Sequence, residues 1–387
     1  MMKFIIGVTL IFLTVPGPLV VYSEERPLNI IYTGGINGEL EPCGCSPKTD
    51  FGGLARLSGH LASHEDELSP YLLVDAGNFT GSDTPQGRLK AEAVLRAYNI
   101  MKYDAVAFMN NEKGFPHDFL LSVLRDNAIP AVSDSQQPVL IERGGARVNI
   151  SANPEGNRQN ALNVLLTDRP VPESRLIKGW DVIILSSGEI LEEPLKVNGT
   201  VIVAGYPRGK KTGILTLTKE KGVTSISHKW LSLGNDVEED PRVRAVLNEY
   251  DSKVAGLLKE SVKPLSGETY LGAAGCSECH QPYEESWKKT RHAGAFDSLI
   301  KAGKSNDPEC IVCHVVGFGE KGGFFTIETT PGLANVQCEE CHGLDRKHIE
   351  DFSRPMRPVS EKVCLKCHTR ENSPDFDYPV YLKKIIH

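Results

Sequence analysis

The sequence has little of several features that would assign it to a common functional class. Basic residues do not outnumber acidic ones, and the formal net charge of −7 gives no reason to expect a nucleic-acid partner. After residue 23 no apolar run approaches the length of a transmembrane helix, and no cysteine near that position indicates a lipid anchor. Only two of the ten cysteines, Cys43 and Cys45, precede residue 276. With 387 residues, of which 24% are charged and 40% hydrophobic, the chain is expected to form two soluble domains without a stable membrane span.

The other eight cysteines lie in four copies of the pentapeptide Cys-x-x-Cys-His, here called motifs 1 to 4. They are Cys276-Ser-Glu-Cys279-His280, Cys310-Ile-Val-Cys313-His314, Cys338-Glu-Glu-Cys341-His342 and Cys364-Leu-Lys-Cys367-His368. Two thiols at this spacing can bond the two vinyl groups on one porphyrin edge. The following histidine is then held close to the iron as an axial ligand. The pattern predicts four covalently attached haem c groups and a role in electron transfer.

Two other chemistries share the cysteine spacing. Motifs 1 and 2, and motifs 3 and 4, could form two four-cysteine zinc ribbons. Simple disulfides are the second alternative. Both must treat the histidine after every second cysteine as a coincidence, and haem is therefore the preferred interpretation.

The N-terminus predicts export. Residues 1–23 contain Lys3, an apolar run over residues 4–15, and Val21-Tyr22-Ser23 before two glutamates. This pattern is typical of a cleaved signal peptide, because the apolar core is too short to span a bilayer. An uncleaved anchor is the alternative. Covalent haem attachment takes place outside the cytoplasmic membrane in bacteria, so we expect a periplasmic or extracellular protein.

The chain divides into a signal peptide (1–23), an α/β domain (27–235), a helical linker (236–265) and a small, mainly helical haem domain (266–387). In the α/β domain, apolar runs alternate with helical patterns, which predicts strands buried on both faces. The predicted strands are 28–33, 71–75, 105–109, 129–133, 161–166, 181–185 and 200–204, with a hairpin over 213–218 and 223–233. The predicted helices are 54–68, 88–100, 117–127 and 241–261.

Four irons need up to eight axial ligands, and the haem domain does not hold eight histidines. The four motif histidines, His280, His314, His342 and His368, supply the proximal ligands. The remaining histidines, His292, His348 and His387, are the distal candidates. One iron is therefore left without a histidine partner in this domain. Met356, or His228 from the α/β domain, could fill that position, although packing of Met356 against a haem ring is the preferred interpretation.

The haem domain resembles the tetrahaem cytochrome c-554 family. The likeness rests on Tyr270-Leu-Gly-Ala-Ala-Gly before motif 1, on Trp287 and Arg291-His292-Ala293, on Gly343 and His348 after motif 3, and on Ser373-Pro374 and Phe376-Asp377-Tyr378 after motif 4. It implies a mainly helical tetrahaem module that relays electrons between redox partners in the periplasm. In that family one haem can lack a distal protein ligand, and by resemblance we assign this vacancy to the haem at His314, since no other histidine lies between residues 314 and 342.

The first domain resembles periplasmic 5′-nucleotidases of the calcineurin-like metallophosphatase superfamily. The likeness rests on residues 30–40, on Gly52-Gly53-Leu54-Ala55-Arg56 and on Leu73-Val74-Asp75-Ala76-Gly77-Asn78. It implies an αββα sandwich with two metals. The positions that correspond to the family's metal ligands carry other residues: Gly35, Asn37, Asn78, Asn111, Ser187 and Ala204-Gly205-Tyr206. Neutral amides and glycines supply neither the charge nor the ligand count of a dinuclear site, so we expect the fold without phosphoesterase activity.

Cys43 and Cys45 form a separate Cys-Gly-Cys beside the former catalytic loop, and are a candidate redox pair. Two exported cysteines so close could form a strained, reducible bond, or an incidental pair that never cycles.

Three functions compete for the whole chain. It could relay electrons between other redox proteins (cytochromes, quinol-linked or terminal oxidoreductases), with the first domain used for docking or ligand binding. It could be a redox enzyme acting on a small nitrogen compound at a five-coordinate haem, or the subunit of an extracellular cytochrome filament. Electron relay is the preferred prediction.

Overall fold

The structure is a computed structural model that describes residues 26–109, 114–220, 223–261, 270–344 and 346–385. The predicted signal peptide, the Asn111 position and His387 lie outside these ranges. The described residues form twelve strands: β1 Leu28–Thr33, β2 Tyr71–Asp75, β3 Ala105–Ala107, β4 Ala131–Val132, β5 Val139–Arg143, β6 Ala146–Ser151, β7 Leu162–Thr167, β8 Val182–Leu185, β9 Leu195–Val197, β10 Thr200–Ala204, β11 Thr212–Glu220 and β12 Val223–Leu231.

The described residues also form thirteen α-helices, of which six lie in the first part of the chain. They are α1 Leu54–Ser63, α2 Glu65–Leu68, α3 Pro85–Met101, α4 His117–Asp126, α5 Val171–Ser174 and α6 Pro241–Ser261. The helices of the C-terminal part are α7 Gly272–Trp287, α8 Ala295–Ala302, α9 Pro308–Ile311, α10 Cys338–His342, α11 Arg346–Glu350, α12 Glu361–Cys364 and α13 Tyr378–Leu382. No described helix combines the length and apolar composition needed to cross a bilayer.

The strands form two six-stranded mixed sheets. The first has the order β12-β11-β1-β2-β3-β4, with β1 to β4 parallel and β11 antiparallel to β1. The second has the order β5-β6-β7-β8-β10-β9, with antiparallel strands at both edges and a parallel centre. The connections between parallel strands cross over a face of the sheet, so the central strands are buried on both faces.

Alternate residues of the central strands face different cores. Ile30 and Tyr32 of β1 pack between the two sheets, whereas Ile31 faces the layer of α1, α3, α4 and α6. All three side chains are fully buried. The outer face of the second sheet packs against Trp180 and the segment around α5. The predicted layered α/β sandwich is confirmed.

Helix α6 joins the two parts of the chain and belongs to the core of both. Val243, Leu247 and Val254 are buried against the first sheet's helices, and α6 packs along α3. Near its C-terminal end, Leu258 joins the core of the haem domain. The helix predicted over 241–261 is therefore present with these bounds, and it is packed along its length.

The C-terminal part is built from short helices and loops, as predicted. Its small apolar core surrounds Phe296, Ile311, Val315 and Phe324. Away from that core, large apolar side chains remain exposed, and they include Tyr283, Val312, Phe352, Leu365 and Val380. Exposed apolar side chains of this kind mark surfaces where another apolar group binds.

Polar contacts join the C-terminal part to the first domain. The ammonium group of Lys304 lies 2.7 Å from Glu41 and 2.7 Å from Asp251. Lys90 pairs with Glu309 at 2.6 Å. Lys304, Glu41 and Asp251 are partly buried, so their pairing is less screened by solvent than an exposed ion pair, whereas Glu309 is exposed.

Candidate haem-binding site

Each of the four motifs lies on a helical turn. Motif 1 is within α7, motif 2 begins in α9, motif 3 coincides with α10, and motif 4 begins at Cys364, the last residue of α12. Residues three and four positions apart lie on one face of a helix, so each turn presents its two thiols and its histidine together. This is the arrangement that covalent attachment and axial ligation of one haem require.

Thiols of different motifs contact each other in two places. Cys276 of motif 1 and Cys338 of motif 3 are hydrogen-bonded through their side chains, and so are Cys313 of motif 2 and Cys367 of motif 4. The first bond lowers the pKa of Cys338 to about 7. Motif 3 also neighbours motif 4, since burial and then Cys364 raise the pKa of Cys341 to about 11. The four motifs therefore follow each other in space in the order 1-3-4-2, in which motifs 1 and 2, one of the two pairs of the zinc alternative, lie at opposite ends.

Two motif histidines each have the ring of another histidine close by. The ring centroids of His280 and His348 are 6.0 Å apart, and those of His292 and His368 are 6.2 Å apart. A ligating imidazole nitrogen lies about 2 Å from its metal, so two imidazoles on opposite sides of one iron have centroids about 6 Å apart. Both separations match that spacing. Burial lowers the pKa of His292 and of His368, which favours the neutral ring that a metal binds.

Three of the predicted ligands are oriented by main-chain carbonyl groups. Nδ1 of His348 lies 2.5 Å from the carbonyl oxygen of Arg354, and Nδ1 of His314 lies 2.6 Å from that of Ala295. Nδ1 of His342 lies 3.2 Å from the carbonyl oxygen of Arg357. A hydrogen bond at Nδ1 leaves Nε2 as the metal-binding nitrogen. Sequence reasoning missed these contacts, because a carbonyl acceptor carries no sequence signal.

A cavity of about 240 Å³ adjoins motif 3. Cys338, Cys341 and His342 lie on its wall, and the remaining lining is largely apolar, with Trp287, Val336, Val359, Leu382 and Ile385 among it. Attachment thiols, an imidazole and apolar walls in one cavity fit a porphyrin. The residues present therefore suit the haem that the motif implies.

The other ligand candidates differ in their surroundings. Among the described residues, no histidine ring pairs with His314. Met356 is half-buried, and His228 lies on β12 with Nε2 3.0 Å from the hydroxyl group of Tyr32. His387 is outside the described residues.

In the first domain, the loops after β1 and β2 lie side by side, as the metallophosphatase resemblance implies. Their side chains are not those of a metal site. Main-chain hydrogen bonds join the first loop to the second, from Gly35 N to Gly77 O and from Asn37 N to Asn78 O. The Asn78 amide donates to the carbonyl oxygen of Ser186 at 2.8 Å. An uncharged amide at this position supplies no carboxylate to bridge two cations. In the described part of the chain, no three His, Cys, Asp or Glu side chains converge as a metal site.

Asp75 at the end of β2 holds this pocket's second loop. Its buried carboxylate accepts hydrogen bonds from Thr33, Tyr98 and the Gly77 N–H. Burial raises the pKa of Asp75 to about 6, against the opposing effect of these hydrogen bonds. The carboxylate of Asp75 therefore stabilises the loop through hydrogen bonds.

Cys43 and Cys45 form a disulfide in the loop that follows the first strand, and both residues are exposed. A second cavity, of about 190 Å³, lies beside Cys43 and is closed on its other side by Ala302 and Lys304 of the haem domain.

The chain joins a region that is similar to c-type cytochromes to a domain with a metallophosphatase-like fold. Residues 275–343 match the family described as cytochrome c554 and c-prime. The chain is similar to cytochrome c-554 of Nitrosomonas europaea, with 39% identity over 100 residues, which cover 22% of this chain and 43% of that protein. The alignment thus spans less than half the length of that relative. This similarity implies covalently bound haem c.

The first domain is similar in fold to solved nucleotidase structures. The 5′-nucleotidase precursor from Thermus thermophilus superposes with a TM-score of 0.51 at 17% identity, over 63% of this chain and 61% of that one. The NAD nucleotidase of Haemophilus influenzae gives a TM-score of 0.50 at 16% identity, over 64% and 63%. Identities this low establish the shared metallophosphatase fold alone.

Proposed function

We propose that this protein is an exported tetrahaem c-type cytochrome that relays electrons between other redox proteins, with a phosphoesterase-like domain that no longer hydrolyses phosphate esters. The observation that carries the proposal is the pair of histidine separations, 6.0 and 6.2 Å, across motifs that present thiols for covalent attachment. Each haem, when attached, supplies an iron that accepts and donates one electron. The residues of this chain position those irons.

The ligand pairs follow from the ring geometry. His348 is assigned to the iron of His280, and His292 to the iron of His368. His387 is the remaining distal candidate of the sequence analysis. By the family resemblance, the iron of His314 is the one that we propose to lack a second histidine ligand.

The order of the motifs supports a relay. Contacts between thiols of different motifs place motifs 1 and 2 at the two ends of the series 1-3-4-2. Motif 2 lies next to the first domain, because Asp307 and Glu309 at its start contact Gln86 and Lys90. One end of the series thus contacts the first domain, which supports a docking role for this domain. The partners would be cytochromes or quinol-linked or terminal oxidoreductases.

A second candidate function is supported by His314. The absence of a second histidine ring beside it, among the described residues, suits an iron with an open sixth position, where a small nitrogen compound could be reduced or oxidised.

Redox titration of the haem-loaded, full-length protein tests the relay. We expect all four haems to be reduced and reoxidised reversibly by a soluble electron carrier, with the same spectrum after repeated cycles. Haems that fail to exchange electrons with one another or with any carrier would contradict the proposal. Turnover of nitrite or hydroxylamine at an enzyme-like rate would favour the second candidate.

A further inference from the structure

We propose that the Cys43–Cys45 disulfide is a two-electron redox site that exchanges electrons with the haem domain. The same site undergoes thiol–disulfide exchange with a small external sulfur compound. The inference rests on the proposed function, since it requires reducible haems. Neither electron relay nor phosphate chemistry uses these two cysteines.

The loop that carries the disulfide is held by two haem-binding segments at once. On one side, Glu41 lies 2.7 Å from the ammonium group of Lys304. On the other, the Thr49 hydroxyl donates to the carbonyl oxygen of Glu371 at 2.7 Å, and Lys48 pairs with Asp375 at 2.8 Å. The disulfide lies between these contacts in the sequence.

Both segments lead directly to a motif. Lys304 follows the C-terminal end of α8, and the carbonyl group of Ala295, the first residue of α8, orients His314. The eight residues of α8 span about 12 Å. Glu371 comes three residues after His368, and the amide of Asn372 donates to the carbonyl oxygen of Cys367 at 3.4 Å. Segments that adjoin motifs 2 and 4, whose thiols touch, therefore both contact the disulfide loop.

The disulfide is also open to a ligand. Both cysteines are exposed, and the cavity of about 190 Å³ beside Cys43 reaches the haem domain at Ala302. Its walls carry both charges, because Arg56 is paired with Asp50 and Arg244 with Glu41. A small polar thiol or disulfide fits such a cavity better than an apolar molecule does.

The chemistry balances without further cofactors. The disulfide accepts one electron from each of two ferrous haems, which become ferric, and takes two protons from solvent water. The S–S bond breaks, and Cys43 and Cys45 become thiols. An external disulfide can then be reduced to two thiols as the Cys43–Cys45 bond forms again.

The test uses the haem-loaded, full-length protein under anaerobic conditions. Titration with dithionite should consume six electron equivalents per molecule in the wild type and four in the double variant Cys43→Ser/Cys45→Ser. Alkylation followed by peptide mass spectrometry should find two new thiols, at residues 43 and 45. Ser46→Ala, a change in the same loop that keeps both cysteines, should behave as the wild type.

If the disulfide is harder to reduce than the haems, electrons should flow from the dithiol to ferric haems, and a reverse experiment tests this. Protein prepared with the dithiol and ferric haems, after removal of a phosphine reductant, should then reduce two haems, and the double variant should reduce none. Transfer in either direction supports the site, and no transfer in both directions overturns it. Cystine should reoxidise the wild-type dithiol, and failure to do so would overturn the external exchange. The haem content of each sample is measured as well. A sample without bound haem would count against the proposed function, whereas a haem-loaded sample without transfer would count against the disulfide site alone.

Discussion

Replacing His348 with alanine is expected to convert one low-spin haem to a high-spin haem while all four haems stay attached. Attachment depends on the thiols of the motifs, whereas the spin state depends on the second axial ligand. His348 lies 6.0 Å from His280, at the spacing of two imidazoles that share one iron. His292→Ala should have the same effect on the iron of His368, from which it is separated by 6.2 Å.

Electron paramagnetic resonance of the oxidised protein measures this. The wild type should show one high-spin and three low-spin ferric signals, and each variant should show two of each. His228→Ala is the matched control, because His228 bonds to Tyr32 and should leave all spin states unchanged. Four low-spin haems in the wild type would refute the open iron at His314 and leave electron relay alone.

The full-length protein is expected to hydrolyse nucleotides no faster than buffer does, even with added manganese or zinc. Active enzymes accelerate such reactions by at least about 10⁶-fold, and a two-metal site does so by activating water and clamping the phosphoryl oxygens. Here Gly35, Asn37 and Asn78 stand at positions where the family has metal ligands, and none of them supplies a carboxylate or an imidazole. The measurement is release of inorganic phosphate from nucleoside monophosphates, beside a true 5′-nucleotidase.

Asn78→Asp provides a complementary test of the same pocket. A carboxylate cannot donate to the Ser186 carbonyl, so this change should lower the free energy of unfolding by about 1–3 kcal/mol. Asn127→Asp is a matched control, because the Asn127 amide also donates to a carbonyl oxygen, that of Val123, far from the pocket loops. Manganese should not restore the stability of Asn78→Asp. Metal-dependent stabilisation of this variant, or nucleotide turnover by the wild type, would show that the pocket still binds metal.

The sequence predicted the buried strands well because their signal is local. Continuous apolar runs gave β1, β2 and β10 with the bounds that the structure shows. Helix α6 was predicted over its full length from its apolar face, beginning after Asp240, whose carboxylate accepts from the Arg242 N–H.

The sequence analysis did not predict strands β5, β6 and β9, which form the antiparallel edges of the second sheet. Strands β5 and β6 are joined by Gly144 and Gly145, both with positive φ, and β9 and β10 by Asn198 and Gly199. Two-residue turns of this kind are strong hairpin signals, and they could have been recognised. The predicted helix over 54–68 is divided at His64, where the backbone leaves the helical region before α2.

The sequence names the candidate site residues but not how they are arranged. The pentapeptides predict thiols and proximal histidines because attachment needs them at fixed spacing. The proposed distal partners lie far from their motifs in the sequence: the ring of His348 lies near that of His280, and the ring of His292 near that of His368. Such pairing is fixed by tertiary packing, as is the contact of the Cys43–Cys45 loop with the haem domain.

The intact mass of the matured protein tests the central claim most directly. Denaturing mass spectrometry retains only covalently bound groups, so the polypeptide should carry four haem units. Serine at both cysteines of any one motif should remove one unit, and the Cys43→Ser/Cys45→Ser variant should keep all four. A polypeptide without bound haem, or one that copurifies with zinc in place of iron, would contradict a tetrahaem electron carrier.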